Sequence, residues 1–130
     1  MIYVDTSVAL AHLLAEDRAP PEALWAEPLV TSRLLEYELW TRFHALDRAA
    51  TAGDAARAML ARVDVCGLPP GGLGRARRPF PVPVRTLDAM HLATVAFLRE
   101  RGHDVELATY DERMASVADA MGIGRYGLDG

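Results

Sequence analysis

The chain has 130 residues, of which 51% are hydrophobic and 25% charged, and its formal net charge is -4 at pH 7. This composition predicts one globular domain with a real core, and the acidic balance argues against general electrostatic capture of nucleic acid. All 14 basic residues are arginine. The lack of lysine excludes phosphate-loop NTPases and Schiff-base enzymes, because both classes need a lysine in the site.

The same composition bears on location. The single cysteine, Cys66, cannot form an internal disulfide, and its apolar neighbours favour a packing role. No apolar run approaches the roughly 20 residues that a membrane span needs, and strand-like sequence from Ile2 leaves no room for a signal peptide. We therefore expect a cytoplasmic protein.

Strands are predicted to alternate with helices along the whole chain. Apolar runs predict strands over residues 2–5, 29–31, 65–68 and 105–109. Periodicity and capping residues predict helices over residues 7–16, 33–49, 54–63, 87–101 and 112–121, with a short helical turn at 22–25. Gly53 or one of its neighbours is expected to divide the second helix from the third. The alternation predicts an α/β fold with a mostly parallel central sheet flanked by helices.

The stretch GLPPGGLGRARRPFPVPV is the one break in composition. Its prolines and glycines predict a loop over residues 69–84, in which residues 73–77 could form a turn or two of helix.

Acidic residues recur where predicted strands end or where the next helix starts. Asp5 ends the first strand, Asp88 opens a helix, Asp111 follows the last strand, and Glu36 and Glu38 follow the second. Parallel sheets bind ligands beyond the carboxyl ends of their strands, so these acids are expected to converge. Each also has a structural explanation, since Asp5, Asp88 and Asp111 could simply cap helices and Glu38 could be solvated.

Convergence would require a counter-charge. The helix over residues 87–101 is apolar on all sides, which is typical of a buried helix. Asp88 in its first turn is therefore not expected to lie in bulk water. Neighbouring carboxylates repel one another unless they are protonated or bridged by a cation, and oxygen ligands favour Mg²⁺ or Mn²⁺ over zinc. Glu36 and Glu38 differ by roughly 200° around their helix, so one of them should face this site. Periodicity does not say which.

At these residues the chain resembles the PIN-domain ribonucleases, specifically the VapC-type toxins of bacterial toxin-antitoxin pairs. The matching segments occur in family order and span nearly the whole chain; they are YVDTSVAL, TSRLLEYELWTR, RTLDAMHLAT and LATYDERMASVADAMGI. The resemblance implies a Mg²⁺- or Mn²⁺-dependent endoribonuclease and toxin that forms a homodimer and binds an antitoxin protein. Asp5, Glu38, Asp88 and Asp111 match the family's acidic positions and are the predicted catalytic and metal-binding residues. Glu38 is favoured over Glu36 by its spacing from Ser32.

The resemblance also suggests that Ser7 helps to hold the site beside Asp5. Thr109 and Tyr110 could orient Asp111 by hydrogen bonding, or they could merely finish a strand. A cation held by the acids would activate water for attack on an RNA phosphodiester. Phe80 could stack on a base while nearby arginines grip phosphates, although a solvated loop is an equal alternative. The predicted RNA-contact residues are Arg75, Arg77, Arg78 and Arg85.

His91, one turn beyond Asp88, is interpreted as a core histidine rather than a base or ligand.

Two other functions compete with that of a nuclease. The alternative function is a non-catalytic binding module that acts through an antitoxin or another partner and whose acids only cap helices; metal binding would separate it from a nuclease. A haloacid-dehalogenase-like phosphatase is excluded because it needs a second aspartate where Ser7 stands, and a lysine.

Overall fold

Four parallel strands form the central sheet of the computed structural model, which describes residues 1–67 and 70–129. Their order across the sheet is β3-β2-β1-β4. The strands are β1 (Ile2–Val4), β2 (Leu29–Ser32), β3 (Asp64–Cys66) and β4 (Glu106–Ala108). In the register of β1, Tyr3 pairs with Val30 on one side and Leu107 on the other. The inner strand β1 is fully buried and apolar, which is typical of parallel strands that are covered on both faces.

Helices fill the connections between these strands. A short 3-10 helix at Glu22–Ala26 precedes β2. The α-helices are α1 (Thr6–Leu13), α2 (Arg33–Ala45), α3 (Ala49–Leu60), α4 (Pro70–Ala76), α5 (Thr86–Glu100) and α6 (Glu112–Ala120). None of the helices in the described ranges is long and apolar enough to cross a membrane. The predicted α/β fold with a parallel sheet is confirmed.

The alternation of side chains along β1 divides the core into two layers. Ile2 and Val4 belong to an apolar cluster that includes Val8 of α1, Leu39 of α2 and other residues of the first three helices. Tyr3 points to the opposite face, in a cluster built with α5 and α6. Each face of the sheet therefore has its own helical layer.

Several helix boundaries differ from the prediction, since α1 and α3 each end three residues early and α2 ends four residues early. The break between α2 and α3 lies at residues 46–48, where Asp47 has a φ of 55°. Gly53 lies inside α3, and a Cβ there would be 2.8 Å from Trp40 Cη2. The glycine therefore permits close packing of α3 on α2 and does not end a helix.

The predicted loop over residues 69–84 contains α4; the prediction allowed a turn or two of helix over residues 73–77, and it is wrong for residues 70–72, where the helix begins. Pro70 opens α4, which suits proline because the first helical N–H has no partner within the helix. The helix packs against α5, and this tertiary contact outweighs its low helix propensity. Residues 68 and 69, which close the predicted strand and open the predicted loop, lie outside the described residues.

Candidate active site

Asp5 and Asp111 are brought together by the pairing of β1 with β4. Val4 pairs with Ala108, and the Asp5 backbone N–H donates to the Ala108 carbonyl at 3.0 Å. The residues that follow both strands therefore meet at the carboxyl edge of the sheet, where parallel folds place their ligands. The convergence predicted for these two acids is the observed geometry.

Two hydroxyl groups hold the carboxylate of Asp5, a residue that is only 4% exposed. Ser7 Oγ and Thr109 Oγ1 each donate to Asp5 Oδ2 at 2.7 Å. Each hydroxyl also accepts one backbone N–H from the segment after β4: Tyr110 N donates to Ser7 Oγ at 2.9 Å and Asp111 N donates to Thr109 Oγ1 at 3.0 Å. Asp5 Oδ2 is thus fixed, and the predicted positions of Ser7 and Thr109 beside the acids agree with the structure.

Asp111 combines a structural contact with a place in the site. Its Oδ1 accepts the N–H groups of Arg113 and Met114 at 2.9 and 3.2 Å, which caps α6. Its Oδ2 lies 3.8 Å from Arg85 Nη2. One oxygen therefore serves the helix and the other faces the neighbouring charges.

Asp88 lies in the first turn of α5, close to both of these aspartates. Arg85, at the N-cap of α5, places its Nε 3.4 Å from Asp88 Oδ2. Burial is the main cause that raises the pKa of Asp88 above its ordinary value, followed by the negative charge of Asp111; Arg85 lowers it and Asp5 raises it further. The repulsion expected among gathered carboxylates is therefore felt at Asp88.

Glu38 lies on α2, and its contacts differ from those of the aspartates. Its Oε1 accepts a hydrogen bond from Thr6 Oγ1 at 2.9 Å and lies 2.5 Å from His91 Nε2. Burial acts to raise the pKa of Glu38, but the hydrogen bond and charge of His91, with the Thr6 contact, lower it overall. Within the described residues Glu36 makes no hydrogen bond or ion pair, whereas Glu38 bonds to His91 and to Thr6, the residue next to Asp5.

His91 is the residue whose surroundings the sequence analysis missed. It is 1% exposed, as expected of a core histidine, yet both ring nitrogens have polar partners. His91 Nε2 contacts Glu38, and His91 Nδ1 lies 2.6 Å from the Tyr3 hydroxyl. The available signal was the three-residue spacing from Asp88, which places both side chains on one side of α5.

The predicted RNA-contact arginines do not form one group. Arg85 lies at the acids, whereas Arg75 stacks on Phe80 at 4.3 Å and lines a cavity of about 740 Å³ with Ala96 and Arg99. Along α5 these last two residues lie about 12 to 16 Å beyond Asp88, at 1.5 Å per residue. Arg77 and Arg78 are exposed. A separate cleft of about 470 Å³ opens beside Glu38 and Thr6.

The donor set can be compared with what a metal ion requires. As placed, no three Asp, Glu, His or Cys side chains in the described part of the chain are close enough to enclose an ion. The chemistry of Asp5, Asp88 and Asp111 nevertheless fits a hard divalent cation, because these are oxygen donors whose mutual repulsion a cation would relieve. His91 does not fit as a ligand, since both its nitrogens are engaged.

Known proteins match most of this chain. A family model described as the PIN domain matches residues 2–120. The chain is 32% identical to Ribonuclease VapC46 of Mycobacterium tuberculosis, covering 94% of this chain and 93% of that protein. It is 30% identical to Ribonuclease VapC47 of the same species, covering 89% and 88%.

Solved structures share the fold. A toxin-antitoxin complex from Klebsiella pneumoniae matches with a TM-score of 0.64 at 19% identity, covering 85% of this chain and 87% of that chain. VapC20 of Mycobacterium tuberculosis, described as a sarcin-ricin loop cleaving toxin, matches with a TM-score of 0.64 at 23% identity, covering 89% and 94%. At these identities the matches support the fold alone.

Proposed function

Because the chain belongs to the PIN domain family, we propose that it is a VapC-type endoribonuclease toxin that uses Mg²⁺ or Mn²⁺ to cleave RNA phosphodiester bonds. Its similarity to two proteins named ribonucleases supports the reaction class. The observation that carries the proposal is the meeting of Asp5, Asp88 and Asp111 from three distant segments, with the charge of Asp111 and Asp5 acting on Asp88.

The three aspartates and Glu38 would hold the cation. When bound, such an ion activates a water molecule and stabilises charge on the phosphodiester oxygens. Asp5, fixed by Ser7 and Thr109, provides the rigid anchor for that site. A preorganised carboxylate loses little conformational freedom on binding.

Arg85 has a role in this proposal that the loop arginines do not share. Its guanidinium lies against Asp88 and Asp111, and its side chain is 70% exposed. It can therefore turn outward to contact a phosphate once another cation neutralises the acids, and guanidinium groups suit phosphate oxygens. RNA would then meet a positive group at the edge of an otherwise acidic pocket.

An antitoxin partner and a homodimer are also part of the proposal. Similarity to two VapC proteins supports an antitoxin, and one protein that shares the fold was solved as a toxin-antitoxin complex. The homodimer depends on the resemblance to VapC-type toxins alone. Size-exclusion chromatography with light scattering tests it, and a monomer at all accessible concentrations would remove it.

Cleavage of total RNA in Mn²⁺, with and without EDTA, tests the nuclease. The parent should cleave only without chelator, while Asp5→Asn and Asp88→Asn should be slower by about tenfold or more. Asp54→Asn is the matched control, because Asp54 is exposed on α3 and contacts Arg57; it should cleave like the parent. A contaminating nuclease would act equally in every preparation.

Equal rates for the parent and both site variants would contradict the mechanism. A parent that neither binds Mn²⁺ nor cleaves RNA would instead favour the non-catalytic binding module. Calorimetry with Mn²⁺ alone distinguishes these results, because it needs no RNA.

A further inference from the structure

A buried polar network links Glu38 to the centre of the sheet. The Tyr3 hydroxyl on β1 is 2.6 Å from His91 Nδ1, and His91 Nε2 is 2.5 Å from Glu38 Oε1. Thr6 Oγ1 on α1 donates to the same Glu38 oxygen at 2.9 Å. Tyr3 is fully buried and His91 is 1% exposed, so water does not reach the contact between them, whereas the Glu38 side chain is 24% exposed. Side chains of β1, α1, α2 and α5 therefore form one network that ends at Glu38 Oε1.

The partners determine where the histidine hydrogen lies. An ionised carboxylate only accepts hydrogen bonds, so Nε2 must carry a hydrogen to bond Glu38. In a neutral ring, Nδ1 then accepts the hydrogen of the Tyr3 hydroxyl, whose pKa is raised by burial. In a charged ring, Nδ1–H donates to the tyrosine oxygen instead. Either way, Nε2–H points at Glu38.

We infer that His91, oriented by Tyr3, is a positioning residue that holds Glu38 Oε1 within the protein and leaves Oε2 to face the site. This inference rests on the proposed function of Glu38 as a site carboxylate. A glutamate side chain has substantial rotamer freedom, which costs free energy when a ligand fixes it. Hydrogen bonds from His91 and Thr6 remove that freedom beforehand, as partners behind a ligand do in known metal sites.

Histidine NMR tests the geometry without metal or RNA. Long-range ¹H–¹⁵N spectra of the intact protein report which ring nitrogen carries the hydrogen. A protonated His91 Nε2 is expected in the parent. An unprotonated Nε2 would overturn the inference, since that nitrogen could not donate to Glu38.

Two substitutions at His91 separate positioning from packing. His91→Leu removes the donor at similar bulk, and His91→Gln can place an amide N–H near the position of Nε2. Leu92→Met is the matched control, because Leu92 is the next residue of α5, equally buried and outside the network. Mn²⁺ affinity is measured by electron paramagnetic resonance of the free ion, together with kcat and KM for RNA and the thermal midpoint.

The expected pattern is specific to positioning. His91→Leu should weaken Mn²⁺ binding and lower kcat by about tenfold or more, with KM for RNA little changed. His91→Gln should recover most of both, and Leu92→Met should retain both. A His91→Leu variant that binds Mn²⁺ and turns over like Leu92→Met would overturn the inference.

Tyr3→Phe provides a second route if His91→Leu does not fold. It deletes one oxygen and keeps the ring, so Mn²⁺ affinity should fall roughly threefold to fivefold, about the effect of one hydrogen bond. Unchanged affinity would remove the role given to Tyr3. Failure of the wider function has a different signature, because the parent itself would then bind no Mn²⁺ or cleave no RNA.

Discussion

Replacement of Thr109 by valine should lower the free energy of unfolding by about 2 kcal/mol. The change keeps the shape of the side chain and deletes a hydroxyl that makes two hydrogen bonds. The bond to Asp5 Oδ2 is 2.7 Å long and charge-assisted, and bonds of that kind contribute about 1.5 to 3 kcal/mol. The bond from Asp111 N is 3.0 Å long and contributes about 0.5 to 1.5 kcal/mol.

Two features reduce the sum of these contributions. Ser7 Oγ still donates to Asp5 Oδ2, so the carboxylate keeps one partner. The backbone N–H of Asp111 lies near the surface, where water can replace the lost acceptor. The net effect therefore falls at the lower end of the range.

Urea denaturation in EDTA, followed by circular dichroism, measures this effect. Thr51→Val is the control, because Thr51 is exposed on α3 and, among the described residues, its hydroxyl contacts Arg48 alone. A surface change of this kind stays within about 0.5 kcal/mol. The slope of free energy against urea should stay constant, so the midpoint alone shifts. Equal midpoints for the two valine variants would refute the assigned hydroxyl contacts.

Three further outcomes concern the charges at the site. In EDTA at neutral pH, Asp88→Asn should be more stable to urea than the parent by less than about 1 kcal/mol. Burial and then Asp111 raise the pKa of Asp88, so the native state holds the carboxyl proton more tightly than the unfolded chain does. The difference in stability should therefore appear only as the pH rises above the ordinary carboxyl range. Asp111→Asn keeps the cap of α6 and Asp111→Ala loses it, so the alanine variant should be about 1 kcal/mol less stable to unfolding. Both variants should reduce Mn²⁺ binding in calorimetry. Equal stability of the two variants would contradict the cap. Arg85→Gln should weaken RNA binding, measured by fluorescence anisotropy, and flatten its dependence on salt. Alanine at the three loop arginines, Arg75, Arg77 and Arg78, should do the same. A variant whose salt dependence equals that of the parent would remove its arginines from the RNA interface.

The sequence was sufficient for the parts of the site that depend on chain direction. Parallel strands end at one edge of a sheet, so the places of Asp5 and Asp111 follow once the strands are recognised. Asp88 follows in the same way from its position in the first turn of a buried helix. The spacing of Ser7 from Asp5 also pointed to a contact, because a residue two positions after a cap lies within reach of it.

Contacts between distant layers could not be predicted in this way. Alternation along β1 shows that Tyr3 faces away from Ile2 and Val4, but it does not show which helix covers that face. The bond between Tyr3 and His91 joins residues 88 positions apart and depends on how α5 packs on the sheet. The position of Gly53 within α3 likewise depends on the ring of Trp40, which belongs to another helix.

Capping and chemistry are compatible roles for the same carboxylate. Asp5 and Asp111 each use one oxygen for hydrogen bonds that fix a helix start, and this contact determines where the second oxygen lies. A residue that only capped would gain nothing from nearby acids; here burial, and then the charges of Asp111 and Asp5, raise the pKa of Asp88 and so disfavour its ionised form. Retaining that repulsion in a folded chain reduces stability unless a cation binds. The placement of Arg85 between Asp88 and Asp111 lessens the repulsion in the meantime, and its exposure allows it to leave when a divalent ion enters.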